Sequence, residues 1–100
     1  MAMSLTEGIS LTTLKQFEVL QQRFVAGLPA RWLEIIDAPD SASQQAALHR
    51  LCGSAGSFGF ESICHLAREA DMLATTGDRA ALAQCLIRLA AVVIATDPTT

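Results

Sequence analysis

The chain has little of what a β-sheet protein needs. Its 100 residues contain no tyrosine, and only 5% are aromatic. Apolar residues make up 51% of the chain, and alanine and leucine supply much of that share. No stretch alternates between apolar and polar residues as a half-buried strand does. The composition therefore favours helices over sheet. A chain of this length suits one domain over residues 1–100, with an ordered core over about 10–96.

A basic cluster is also missing. The seven lysine and arginine residues are scattered, and the formal net charge is −3. Proteins that bind nucleic acid normally carry a basic patch, so we expect no nucleic-acid partner. The first ten residues show no basic region followed by an apolar stretch, and no secretory signal is predicted. The most apolar run, Leu82–Ala95, is interrupted by Gln84 and Arg88. We expect it to be a buried helix that is too short to span a membrane.

The cysteines do not form a disulfide framework. Cys52, Cys64 and Cys85 are odd in number and lack the spacing of disulfide-rich secreted domains. The simpler interpretation is three free thiols in a reducing compartment, with Cys64 and Cys85 partly buried. Free thiols predict a cytoplasmic location, and we also expect a monomer with no membrane contact.

Helical periodicity runs through almost the whole chain. An apolar face from Leu11 to Val25 predicts a first helix, which Gly27 and Pro29 break or kink because proline removes a backbone donor. The apolar face, including Trp32, continues to about Asp37 and is expected in the core. Ser41 and Gln44 fit a capping box that starts the next helix, which ends near Ser57.

Two more helices follow. One runs from about Ile63 to Thr75, with Gly77 as its C-cap, and Asp78 is the expected N-cap of the last. The connections are short, so consecutive helices should be antiparallel neighbours. The predicted fold is all-α: a four-helix up-and-down bundle whose first helix is split or kinked near Pro29. On the helix that starts near Ile63, the charged residues Glu61, Arg68, Glu69 and Asp71 are expected to form a solvated face.

The helix that starts near Ser41 places His49 away from the core. At 100° per residue, Leu48, Leu51 and Ala55 share one narrow sector that must face the interior. His49 lies roughly 130° from the centre of that sector and should be exposed. Gly53 and Gly56 follow four and seven positions later on the histidine's side. Each glycine costs a helix roughly 1 kcal/mol relative to alanine. Two glycines beside an exposed histidine leave the surface around it free of side chains, which suggests that another protein closes over the histidine.

The run from His49 to Phe60, HRLCGSAGSFGF, resembles the histidine-containing phosphotransfer (HPt) domains of bacterial multistep phosphorelays. Their pattern is a histidine, any residue, an apolar residue, usually a lysine, then Gly-Ser/Ala-Ala-Gly, with another glycine three residues on. The resemblance covers this motif closely and the helix plan loosely.

The resemblance implies that His49 accepts a phosphoryl group from a receiver-domain aspartate and passes it to another receiver aspartate. Gly53 and Gly56 would let the receiver dock. The partners would be receiver domains of response regulators, hybrid sensor histidine kinases, or both. The chain would need no cofactor of its own, because the receiver brings Mg²⁺, and no autonomous kinase or hydrolase activity is expected.

One position departs from the family pattern. Cys52 stands where the family usually has a lysine near the phosphoryl group. Arg50 is close in sequence, but it points roughly 100° away from His49. We therefore assign Arg50, Cys52, Gly53 and Gly56 to the phosphate and partner surface, and we expect fewer cations beside a phosphorylated His49 than is usual in the family.

Two other functions compete with this interpretation. An HPt-like bundle could dock a receiver or a kinase without carrying phosphate, and the Cys52 departure keeps that alternative open. His49, Cys52, Cys64 and His65 could instead bind zinc. Adjacent helical residues diverge by about 100°, however, so Cys64 and His65 cannot easily aim at one ion.

Overall fold

The computed structural model describes residues 11–96, which form five helices and no strand. They are α1 (Leu11–Ala26), α2 (Leu28–Ile36), α3 (Ser41–Ser57), α4 (Glu61–Thr76) and α5 (Arg79–Thr96). The all-helical prediction is confirmed over this range. The prediction that the first ten residues contain no secretory signal concerns residues outside this range.

The predicted break in the first helix is confirmed. Gly27 separates α1 from α2, and its N–H donates to the Arg23 carbonyl at 3.0 Å to end α1. Pro29 lies in the first turn of α2, where a missing N–H costs nothing because no intrahelical acceptor is available there.

The N-cap of α3 is not the one predicted. Asp40 caps the helix, and its Oδ1 accepts from the Ser43 N–H at 2.7 Å. That backbone bond, with the Ser43 hydroxyl, lowers the pKa of the Asp40 carboxyl below its usual value. The predicted capping box of Ser41 and Gln44 is wrong, because Asp40 takes the cap one residue earlier and Gln44 Nε2 donates to the Ile35 carbonyl at 3.1 Å.

Both predicted signals between α4 and α5 are confirmed. Gly77 ends α4 in the left-handed conformation with φ +81°, which favours glycine. The Asp78 carboxylate accepts from the Ala81 N–H at 3.0 Å at the start of α5. The turn between these helices is therefore only two residues long.

The core lies between α2, α3, α4 and α5. Its largest fully buried side chains come from all four helices: Leu28, Ile35, Leu48, Leu51, Ile63, Leu89 and Cys85. The α3–α4 contact is the most extensive, and these helices run antiparallel, since Gln45 bonds to Thr75 near one end and Cys52 meets Cys64 near the other. The up-and-down direction of the other helices stays a prediction.

The first helix contributes less to the core than its pattern predicts. Phe24 is the buried residue of α1, whereas Leu11, Leu14, Phe17 and Leu20 are exposed. The expectation that this whole apolar face is buried is wrong, because α1 makes few contacts with the other helices. Trp32 of α2 is partly buried and packs against the core, as expected.

Helix α5 is apolar on both sides. Its 18 residues are long and apolar enough to cross a membrane by length and composition alone, so the prediction that this segment is too short does not hold. Cys85, Leu89 and Val93 are buried in the bundle, whereas Ile87 and Ile94 are exposed. The prediction of a buried helix therefore holds for one face.

Candidate functional site

His49 lies on the exposed side of α3, as the helical geometry predicts. Leu48, Leu51 and Ala55 are at most 1% exposed and anchor the opposite side of the helix in the core. The His49 side chain is exposed and, within residues 11–96, makes no hydrogen bond or ion pair. Both ring nitrogens are thus open to a reactant that approaches from solvent.

Gly53 and Gly56 border the histidine on the same exposed surface. A Cβ added at Gly53 would meet nothing within 4 Å, and one added at Gly56 would lie 3.7 Å from Cys64 Sγ, an ordinary contact. Neither helical glycine is needed to pack the domain. Their cost to α3 is therefore unexplained by the fold itself.

A groove of about 510 Å³ runs between α3 and α4 beside His49. Helix α3 provides one wall and helix α4 the other. It is lined by Leu48, His49, Cys52, Gly53, Gly56, Ser57, Cys64, Ala67, Arg68 and Asp71. The structure thus brings together four of the five residues assigned to the site from sequence: His49, Cys52, Gly53 and Gly56.

Cys52 and Cys64 form a disulfide across the groove, with their Cα atoms 3.9 Å apart. The expectation of three free thiols is therefore wrong for this pair. The sequence pattern could not show it, because it leaves open how α3 and α4 are rotated against each other. Cys85 is a free, buried thiol, in line with the prediction.

Arg68 supplies a positive charge that the sequence interpretation missed. Its Nη2 lies 3.8 Å from Cys52 Sγ and 3.7 Å from Cys64 Sγ. It forms no ion pair within the described part of the chain. Arg68 is exposed, as expected of a solvated face, and together with the partly buried Asp71 it also lines the His49 groove.

A signal for this arrangement is present in the sequence. Cys64, Arg68 and Asp71 are spaced i, i+4 and i+7, so they form one stripe on α4. This stripe adjoins the buried stripe of Ile63, Ala67 and Ala70. A stripe that borders the core lies beside the neighbouring helix, which here is α3.

Arg50 is not part of the groove. Its Nη2 pairs with Glu34 Oε1 of α2 at 3.0 Å, and it does not line the cavity beside His49. The adjacent position on the helix directs the side chain towards α2, in keeping with the 100° turn per residue. Arg68, and not Arg50, is therefore the arginine that lines the groove beside His49.

The zinc alternative finds no support in this geometry. No group of three or more histidine, cysteine, aspartate or glutamate side chains within residues 11–96 is arranged to hold a metal ion. Cys52 and Cys64 are joined to each other, and a zinc ligand must be a thiolate.

Comparison with known proteins identifies one family. The Hpt domain family matches residues 13–97, which is most of the chain. No curated protein and no solved structure matches the chain.

Proposed function

Because the chain belongs to the Hpt domain family, we propose that it relays phosphoryl groups through His49. Hpt domains carry out histidine phosphotransfer in phosphorelays, and they interact with receiver domains. The finer proposal is that His49 accepts the group from a receiver aspartate and returns it to another receiver aspartate. Receivers of response regulators or hybrid sensor kinases would be the partners, in the cytoplasm.

The observation that carries this proposal is the open space around Gly53, four residues after an exposed histidine. Nothing within the domain lies within 4 Å of the position that a Cβ would occupy. A helix interior favours alanine by roughly 1 kcal/mol at such a position. A partner surface that closes over His49 would explain why a glycine occupies this position.

The transfer needs one nucleophile from this chain. In its neutral form an imidazole has one ring nitrogen with a free lone pair, which can act as a nucleophile. A neutral ring nitrogen attacks the phosphorus of the receiver's aspartyl phosphate. The N–P bond forms, the P–O bond to the aspartate breaks, and the aspartate leaves as a carboxylate. The reverse reaction delivers the group to the next receiver, and Mg²⁺ held by the receiver would assist both steps.

Arg68 is proposed to stabilise the phosphorylated state. A phosphoryl group on a side chain carries a charge of about −1.5 to −2 at pH 7. The Arg68 guanidinium lines the same groove and is not neutralised by a carboxylate in the described structure. It would take over the charge compensation that the family's usual lysine provides.

The direct test is phosphotransfer from a phosphorylated receiver. The protein should gain a phosphate that is labile in acid and stable in alkali, as a phosphohistidine is. His49→Gln should abolish the signal. His65→Gln is the matched control, because His65 is exposed on α4 and does not line the His49 groove.

The outcomes separate the two functions. Loss of transfer in His49→Gln, with normal transfer in His65→Gln, supports the relay. Unchanged transfer in His49→Gln contradicts it. If the receiver binds but no phosphate moves, the protein is a docking module, which is the alternative that Cys52 in place of the usual lysine keeps open.

A further inference from the structure

Two cysteines lie at the point where the site departs from its family. Cys52 occupies the position of the usual lysine, three residues after His49, and Cys64 faces it from α4. Both are half-buried and line the groove beside His49. A small oxidant or reductant that enters the groove can therefore reach both sulfur atoms.

We propose that Cys52 and Cys64 form a reversible thiol–disulfide switch that controls how long His49 holds a phosphoryl group. The inference rests on the proposed role of His49. In a cytoplasm, where glutathione keeps thiols reduced, a disulfide is usually transient and redox-sensing rather than structural.

The surroundings of the two sulfurs favour exchange. The Arg68 guanidinium is 3.7–3.8 Å from both sulfurs, and a neighbouring cation favours the thiolate, which is the reactive form. Cys85 has the opposite surroundings, since it is 0% exposed and its thiol donates to the Glu69 carboxylate at 3.3 Å. Burial, with the charge and hydrogen bond of Glu69, raises the pKa of the Cys85 thiol to about 11. The reactive pair is thus set apart from the third cysteine.

The oxidant is a low-molecular-weight disulfide such as oxidised glutathione. The thiolate of one cysteine attacks it, the glutathione S–S bond breaks, and one glutathione leaves. The second cysteine then attacks the mixed disulfide and releases the other glutathione. The two cysteines lose two electrons and two protons, and two glutathione thiols are produced. An excess of reduced glutathione reverses the reaction.

The switch would act through the charge of Arg68. In the disulfide the sulfurs are neutral, so the guanidinium is free to pair with a phosphoryl group on His49. In the reduced protein a thiolate at Cys52 or Cys64 competes for the same guanidinium and adds negative charge beside the phosphoryl group. Asp71, the other charged residue of the groove, is present in both states. The oxidised form should therefore hold the phosphoryl group longer, by about two- to fivefold for a partly solvated charge pair.

The experiment uses the full chain and a partner-independent donor, potassium phosphoramidate. The protein is equilibrated in buffers with different ratios of reduced to oxidised glutathione, and its free thiols are counted after denaturation. Of the three cysteines, one thiol is expected in the oxidised form and three in the reduced form. The half-life of phospho-His49 is then followed by ³¹P NMR in each form. Cys85→Ser should keep the redox response, and the double variant Cys52→Ser/Cys64→Ser should lose it.

The results distinguish failure of the switch from failure of the relay. Equal phosphohistidine half-lives in both redox states, with His49 phosphorylated, overturn the switch and leave the relay intact. No phosphorylation of His49 in either state overturns both. A redox response that persists in the Cys52→Ser/Cys64→Ser variant also overturns the switch. Circular dichroism of each variant verifies that the helices are intact.

Discussion

Replacement of Gly53 by alanine should stabilise the domain, although the residue belongs to the proposed site. Gly53 lies inside α3, five residues before the Phe58 C-cap. Its added methyl group would meet no atom within 4 Å, so no steric cost offsets the gain in helix propensity. The position has an ordinary helical backbone, and positive φ values occur at Gly59 and Gly77 instead.

The expected gain is about 1 kcal/mol in the free energy of unfolding, which is the difference between glycine and alanine in a helix interior. For a domain of this size, that gain raises Tm by about 4–8 °C. Urea unfolding followed by circular dichroism at 222 nm measures the first quantity, and thermal unfolding measures the second. Gly53→Leu should retain the fold as well, because the side chain points into open space.

The functional effect should have the opposite sign. Gly53→Leu places a bulky side chain where the receiver would approach His49, so we expect at least about a tenfold loss in the rate of transfer, which corresponds to 1.4 kcal/mol. Ala91→Leu is the matched control, since Ala91 is exposed on α5 and is not part of the groove. It should transfer normally.

Either of two results would refute this reasoning. A Gly53→Ala variant that is less stable than the wild type would show that the fold itself requires the glycine. Normal transfer by Gly53→Leu would show that the receiver docks on another surface.

Four other predictions test separate parts of the structure. Arg68→Gln should shorten the phosphohistidine half-life about two- to fivefold in a ³¹P NMR decay measurement, whereas Arg50→Gln should leave it unchanged. Cys52→Lys should give a longer half-life than Cys52→Ser, which equally lacks the disulfide; equal values would exclude a benefit from lysine. Leu48→Ala, at a position that is 0% exposed, should cost about 3–5 kcal/mol in urea unfolding. The pKa of the Asp40 carboxyl is lowered, so its cap stabilises the fold fully above the ordinary aspartate pKa near 4. This stabilisation is lost as the pH falls through the lowered pKa. The difference in the free energy of unfolding between the wild type and Asp40→Ala should therefore shrink in acid.

The side of α3 that carries His49 could be predicted because the core residues of this helix are unambiguous. Leu48, Leu51 and Ala55 fix the direction of the core, and the helical repeat then gives the directions of all the remaining residues of α3. The breaks at Gly27 and Gly77 were equally predictable, because proline or a left-handed glycine leaves little choice of backbone. These features depend on local geometry alone.

Features that depend on two helices at once were not predictable. The Cys52–Cys64 pair requires the rotation of α4 against α3, which no residue of either helix fixes by itself. The spacing on α4 places Arg68 on a stripe beside the core, but it does not show that the sulfurs and His49 of α3 lie opposite that stripe. The N-cap of α3 was misplaced for a local reason: aspartate and serine both suit an N-cap, and Asp40 directly precedes the predicted Ser41. The exposure of α1 depends on where the other helices end, and its apolar pattern carries no such information.

The position of the positive charge links these points to function. If His49 carries a phosphoryl group as proposed, the groove as a whole would compensate its negative charge, whichever helix supplies the cation. In this chain the α3 position holds Cys52, and the guanidinium comes from Arg68 on α4. A lysine at the α3 position keeps its charge in every redox state, whereas Arg68 shares its surroundings with two sulfurs. In the proposed switch, the cysteine that stands in place of the family's usual lysine would therefore make the charge beside His49 depend on whether the two thiols are oxidised.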